Sequence, residues 1–251
     1  MQKMIIVFSF LTLLLWSCKK DPKITEDPVI TGSVDFNVTN VVGSVPLALS
    51  TQTYVNENLD TFNVNLFKYY ISNIKLFRID GYVYSETESY HLLNQNDTNS
   101  CKFRLQNIPT GEYIGMQFII GVDSLRNCSG AQSGALDIIN DMFWDWSQGY
   151  IFAKLEGTSN QAVGGSFLHH VGGFTGLYNA IVKANPTFSS AILKVSEENP
   201  SKIYMKADVL EWFKNPTTID LASYSGVGGG KKSAEIATNY SDMFSVAAIK
   251  N

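Results

Sequence analysis

The chain has 251 residues, of which 45% are apolar, 12% aromatic and only 17% charged, with a formal charge of −4. That mildly acidic balance excludes nucleic acid and anionic membrane surfaces as partners expected from overall charge. An aromatic-rich, charge-poor composition favours a β-rich envelope protein over a helical cytosolic one.

Lys3 precedes about a dozen apolar residues that end in Leu15-Trp16-Ser17-Cys18. This run is too short to span a bilayer, and it has the layout of a cleaved export segment. It resembles the bacterial lipoprotein signal, in which the cysteine after the apolar run is diacylated and becomes the first mature residue. That resemblance divides the chain into a signal peptide (1–17), a tether starting at the lipidated Cys18 (18–32) and a folded domain (33–251). It implies an outer-membrane lipoprotein of a bacterial envelope, facing the periplasm or the exterior. Lys19-Lys20-Asp21 resembles the surface-export signal of Bacteroidetes lipoproteins, one acidic residue short of the usual form. Loss of residues 1–17 removes Lys3 and leaves 18 basic against 23 acidic residues, a formal charge of −5.

Along the chain, Pro22 and Pro28 in a charged stretch mark the tether. Val34, Phe36 and Val38 then alternate with polar neighbours, the period of a half-buried strand. Phe62, Val64 and Leu66 repeat that pattern before the apolar face switches near Phe67, which predicts a bulge. Further strands are expected at 74–79, 82–84, 114–120 (after a Pro109-Thr110-Gly111 turn), 150–156, 166–171, 190–195 and 202–209. Many short strands separated by Gly, Pro, Asn and Ser clusters predict an all-β protein, an antiparallel β-sandwich with Greek-key-like connections and a few short helices. Leu136, Ile139, Phe143 and Trp146 recur at helical spacing, with Asp137, Asp141 and Asp145 nearly opposite, which predicts a surface helix over 134–146. Shorter helices are expected near 210–214 and 233–244.

With Cys18 assigned to lipid, Cys101 and Cys128 form an even pair in an oxidising compartment, where a disulfide is the expectation. Such a bridge closes a loop of 26 intervening residues and stabilises by about 3 kcal/mol in the chain-entropy picture.

Several catalytic signatures are absent: His-Glu-x-x-His, Cys-x-x-Cys and Cys-x-x-Cys-His do not occur. Ser133 in Gly130-Ala-Gln-Ser-Gly134 stands one position late for a nucleophile elbow. Gly226-Val-Gly-Gly-Gly-Lys231-Lys232-Ser233 lacks P-loop spacing and reads as a surface loop. Asp123, Asp137 and Glu156 could in principle supply an acid/base pair for a hydrolase, but such a pair needs a defined separation and a shifted pKa, which a sequence does not give. A hydrolase is the least expected class, and no enzyme activity is expected. The three histidines are His91, His169 and His170. Adjacent residues on a strand face opposite sides, so only one of His169 and His170 can serve a given site. Neutral imidazoles from different strands can converge on copper or zinc. The cluster from Met142 to Phe152, with Trp144 and Trp146, suits core packing, a carbohydrate platform or indole oxidation.

A set of ordered blocks carries a resemblance. Phe67-Lys-Tyr-Tyr-Ile-Ser-Asn-Ile-Lys-Leu76 with Asp80-Gly81, Gly121-Val-Asp-Ser124, Leu136-Asp137 and Met142-Phe-Trp-Asp-Trp146 resemble the MbnP-like family, copper-binding proteins encoded beside methanobactin operons. Gly149-Tyr150 through Leu155-Glu-Gly157, Phe167-Leu-His-His-Val-Gly-Gly-Phe174 and Asn239-Tyr-Ser-Asp-Met-Phe244 extend the match over roughly 33–245. The resemblance implies a β-rich envelope domain that binds a copper ion and works with a periplasmic di-haem peroxidase that oxidises a tryptophan. Carried over by position, His169 or His170 are the metal ligands and Trp144 or Trp146 the oxidisable aromatic, with His91 as a further ligand candidate. The first strand, Val34 to Gly43, holds no histidine or methionine, a departure from the ligand pattern expected there. The competing expectation is a cell-surface lipoprotein that binds glycan or protein without a metal.

Overall fold

The computed structural model describes residues 28–251 apart from Ala131 and Trp146. The signal peptide, Cys18, most of the tether and Trp146 therefore lie outside the described residues. In chain order the elements are β1 (Thr31–Val42), β2 (Val45–Pro46), β3 (Thr53–Val55), β4 (Thr61–Arg78), β5 (Val83–Ser85) and β6 (Tyr90–Asn94). They continue through β7 (Lys102–Pro109), β8 (Gly111–Ile120), α1 (Ser124–Asn127), β9 (Phe143–Asp145), β10 (Gly149–Thr158) and β11 (Ser166–Gly172). The chain closes with β12 (Val182–Ala184), β13 (Leu193–Val195), β14 (Ser201–Asp208), β15 (Gly226–Gly228), α2 (Gly230–Tyr240) and β16 (Phe244–Lys250).

Two sheets result. The smaller has the order β16-β14-β1-β2, with β7 also paired to β1. The larger has the order β12-β8-β4-β10-β11-β15, with β3, β5 and β6 added along β4, β9 on β10 and β13 on β8. Period-two alternation builds the core: Val34, Phe36 and Val38 are buried while Asp35, Asn37 and Thr39 turn outward. On β4, Phe62 and Val64 point inward and so do Phe67 and Tyr69. The parity changes because Glu156 pairs with Leu66 and Gly157 with Val64, leaving Asn65 as the extra residue of a bulge. The bulge expected from the switch of face is therefore present. At Gly157 a Cβ would lie 1.9 Å from the Asn63 carbonyl oxygen, so only glycine lets β10 approach β4 there.

The all-β sandwich is as expected, but its sheets are mixed. β1 and β14 run parallel from Val34↔Ser201 to Val41↔Asp208, and β11 and β15 run parallel as well. Parallel neighbours need a long crossover, supplied by β2 through β13 for β1 and β14, and by the chain from β12 through β14 for β11 and β15.

Two local expectations are corrected. Of the segment 134–146, the described residues 134–145 form no α-helix but two 3-10 turns, Gly134–Leu136 and Ile138–Asn140, followed by β9. Asp137 is extended (φ −65, ψ 135) and its carboxylate caps Ile139 N–H, while Asp141 is left-handed (φ 58), so the apolar stripe is cut by its own acidic residues. The Gly226–Lys232 segment is not a loop: it is a strand on β11 that leads directly into α2.

The disulfide expectation is also corrected. Cys101 is buried, Cys128 is exposed, and both are free thiols. The reason lies in the topology. Cys101 lies in the turn before β7, where its carbonyl accepts from Val38 N–H of the smaller sheet. Cys128 ends α1, which follows β8 of the larger sheet.

Candidate functional site

β11 carries two histidines on opposite faces. Phe167, His169 and Val171 point into the sandwich and are fully buried, whereas Leu168 and His170 point outward. Above the inward face lie the 3-10 turn Val209–Phe213 and α2. The indole Nε1–H of Trp212 donates to His169 Nδ1 at 3.0 Å, and His169 Nε2 lies 2.5 Å from the Tyr224 carbonyl oxygen. An indole only donates and a carbonyl only accepts, so the ring is the Nε2–H tautomer with both nitrogens engaged. Burial pushes the His169 pKa down to about 4, against the Tyr224 carbonyl acting in the other direction. Phe167, Phe213 and Trp212 surround the ring, and Tyr240 packs on Trp212 at 4.9 Å.

His170, on the outer face, places Nε2 2.7 Å from a Glu156 carboxylate oxygen. Its cross-strand neighbour is Lys154, and Lys68 follows on β4, so three cationic or titratable side chains form one row. Lys154 is buried beneath the 140–141 turn, with its ammonium on the Asp141 carbonyl (2.6 Å) and carboxylate (2.8 Å). The Lys154 hydrogen bond is the main cause holding the Asp141 carboxyl below its ordinary range. His91 lies elsewhere, on β6: its Nε2 meets both oxygens of Glu86 at 3.1 and 2.9 Å, and its ring stacks on Phe103 at 4.0 Å.

These positions decide the fit of a copper ion. His169 has no free nitrogen, His170 has its Nε2 on the Glu156 carboxylate, and His91 belongs to another strand and another carboxylate. Among the described residues no group of three His, Cys, Asp or Glu side chains is placed to hold a metal. A preassembled copper centre does not fit the described residues.

The two described tryptophans, Trp144 and Trp212, lie in different surroundings. Trp212 is fully buried. Trp144, on β9, is partly exposed, and its ring edge lies where a Cβ at Gly172 would stand, 2.7 Å away. It borders a depression of about 180 Å³ with Ser147, Gln148, Phe174, Thr175 and the Gly228–Gly230 backbone. The Asp145 carboxylate shapes one wall by accepting from Ser147 N–H, Ser147 Oγ–H and Gln148 N–H. Behind the depression, Ser233 of α2 exchanges two hydrogen bonds with Gly172, the residue before the lining Gly173.

The carboxylates singled out for acid/base work serve the scaffold. Burial pushes the Asp123 carboxyl up, but hydrogen bonds from Tyr90, Asn73 and the Arg126 and Leu125 N–H groups outweigh it and keep the pKa low. Asp137 caps a turn and Glu156 pairs with His170.

Sequence reasoning missed two organising asparagines. Asn127 donates to Val122 and Asp123 carbonyls and accepts from Tyr150 N–H, fixing the start of β10 to the end of β8. Asn239 accepts from Thr217 N–H and donates to the Trp212 and Thr217 carbonyls, seating the Trp212 turn on α2. Membership in the Asn239–Phe244 block was the one available signal for the second; Asn127 carried none.

No curated protein matches the sequence significantly. Among solved structures, MbnP from Methylosinus trichosporium superposes with a TM-score of 0.52 at 14% identity, covering 80% of this chain and 83% of the other. That likeness is one of fold. The MbnP family model matches residues 31–232, which spans β1 through the first turn of α2 and includes both histidines of β11. The chain belongs to the MbnP family.

Proposed function

We propose that this protein is a non-catalytic binding lipoprotein of the bacterial outer membrane, one that keeps the family's sandwich without a preformed copper centre and takes a glycan at the Trp144 depression. One observation carries the reading: the partly exposed indole stands among hydroxyls, an amide and Phe174, while the histidines are dispersed and committed to other partners. Sugars stack on an indole face and hydrogen-bond to just such side chains. The supporting test is a glycan array probed with the full chain carrying Cys18→Ser, followed by calorimetry on any ligand retained. Trp144→Ala is expected to reduce retention at least about tenfold. Retention unchanged by that substitution contradicts the glycan site.

A second reading is favoured by one feature. His170 is 26% exposed at its side chain beside the Glu156 carboxylate, an imidazole–carboxylate pair of the kind that holds copper. On this reading copper is captured at the outer face of β11, and a di-haem peroxidase partner acts on the Trp144 indole. Stoichiometric copper binding abolished by His170→Ala would establish it over the first.

A further inference from the structure

The protein is acidic overall, but the outward side of its smaller sheet is not. Lys102 and Arg104 on β7, Lys202 and Lys206 on β14, and Lys250 on β16 are all exposed, and the register of β7, β1, β14 and β16 puts them on one face. Asp35, between them on β1, is bound by Arg104 through two bonds of 2.6 and 3.0 Å, so that pair is neutral. Asp208, at the far end of β14, is spent on the Leu210 and Gly43 N–H groups. Lys102, Lys202, Lys206 and Lys250 have no ion-pair partner among the described residues. Lys250 instead lies over the Tyr204 ring at 5.2 Å. A shallow cleft of about 360 Å³ runs between Asp35, Asn37, Lys102, Arg104, Lys202 and Tyr204.

Next to this face, exposed apolar side chains gather at the end where the chain leads into β1. Val29 and Ile30 are 69% and 56% exposed, and Ile79, Tyr82 and Val83 of the β4–β5 turn are 61%, 43% and 44% exposed. Hydrogen bonds bring these segments together: Thr110 N–H donates to the Ile30 carbonyl, Arg78 Nη1 to the Thr110 carbonyl and Ile79 N–H to the Glu112 carbonyl. A scattered exposed valine needs no explanation, but a group of large apolar residues beside unbalanced lysines does.

We propose that the β7–β1–β14–β16 face and this apolar end form a docking surface for an anionic lipid bilayer. An acidic polysaccharide would satisfy the lysines and leave Ile30, Ile79 and Val83 in water. A bilayer satisfies both, with phosphate headgroups on the lysines and the headgroup–acyl boundary around the short apolar tips. The tether leads into β1 at this same end, so a lipid at Cys18 holds this end of the domain near the membrane. The docking itself does not require that lipid.

The test uses the mature chain, residues 18–251 with Cys18→Ser, so that neither the apolar export segment nor an acyl chain contributes, sedimented with vesicles of phosphatidylcholine alone or mixed with phosphatidylglycerol. Binding to the mixed vesicles is expected to exceed binding to phosphatidylcholine at least about tenfold and to disappear in high salt, where the screening length falls to about 3 Å. Each lysine near such a surface contributes about fivefold in affinity. Lys102→Glu, Lys202→Glu and Lys250→Glu together should therefore weaken binding by about a hundredfold or more. Ile79→Ser with Val83→Ser should weaken it while keeping the salt dependence. Equal binding to both vesicle types, or binding to neither, overturns the proposal. So does retention on an acidic polysaccharide without vesicle binding. If the triple variant does not fold, as read by circular dichroism, the salt dependence of the Cys18→Ser chain decides.

Discussion

Trp212 donates its indole N–H to His169 Nδ1 at 3.0 Å, and with Tyr224 holding the other nitrogen this bond gives the histidine a structural role. Trp212→Phe keeps an aromatic ring but strands a buried acceptor and opens a cavity. The expected loss is about 2–4 kcal/mol of stability, measured by urea unfolding. Unchanged stability would mean the bond does not hold the core together.

The same histidine predicts a pH dependence. Its folded pKa, about 4, lies below the ordinary 6.5. Between those values the unfolded chain binds a proton that the folded chain refuses, so stability rises with pH through this window and is lost as pH falls. The gap corresponds to about 3 kcal/mol. Unfolding midpoints recorded across pH 4 to 6.5 should show this slope, and His169→Gln should flatten it. The lowered carboxyls of Asp35, Asp123 and Asp141 act at lower pH, below their ordinary 3.8.

Two glycines should respond in opposite ways. Gly157→Ala drives a Cβ into the Asn63 carbonyl and is expected to cost about 3 kcal/mol or more, or to prevent folding. Gly228→Ala meets nothing within 4 Å and should change the unfolding midpoint little. Similar melting temperatures for both variants would contradict the close approach of β10 to β4.

The cysteines should differ in reactivity. Cys128 is exposed and is expected to alkylate in the native protein. Cys101 is buried, and that burial is the main cause raising its thiol pKa, so it should react only after unfolding. Intact mass should show two free thiols beside Cys18. A mass lower by two hydrogens, with neither thiol labelled, would establish the disulfide instead.

The parts of the fold that depend on neighbours in sequence were legible. The alternation of Val34, Phe36 and Val38 marks a half-buried strand, and the switch of face before Phe67 marks the bulge at Asn65. Strand parity alone separates His169 from His170. The helical stripe of Leu136, Ile139 and Phe143 misled because periodicity does not register Asp137 and Asp141 bonding their own backbone. What fills the nitrogens of His169 was out of reach, since Trp212 lies 43 residues away on a turn that only the folded sandwich brings over β11. Net charge concealed the basic face, because it averages Lys102, Lys202 and Lys250 with acids on other surfaces.

The most direct test of the central claim is an anaerobic Cu(I) titration of the full chain carrying Cys18→Ser, in competition with a chelator, repeated on His169→Gln and His170→Ala. No stoichiometric tight copper is expected in any of the three, with His169→Gln changed only in stability. One equivalent of chelator-resistant copper, abolished by either substitution, would contradict it and restore a copper centre to β11.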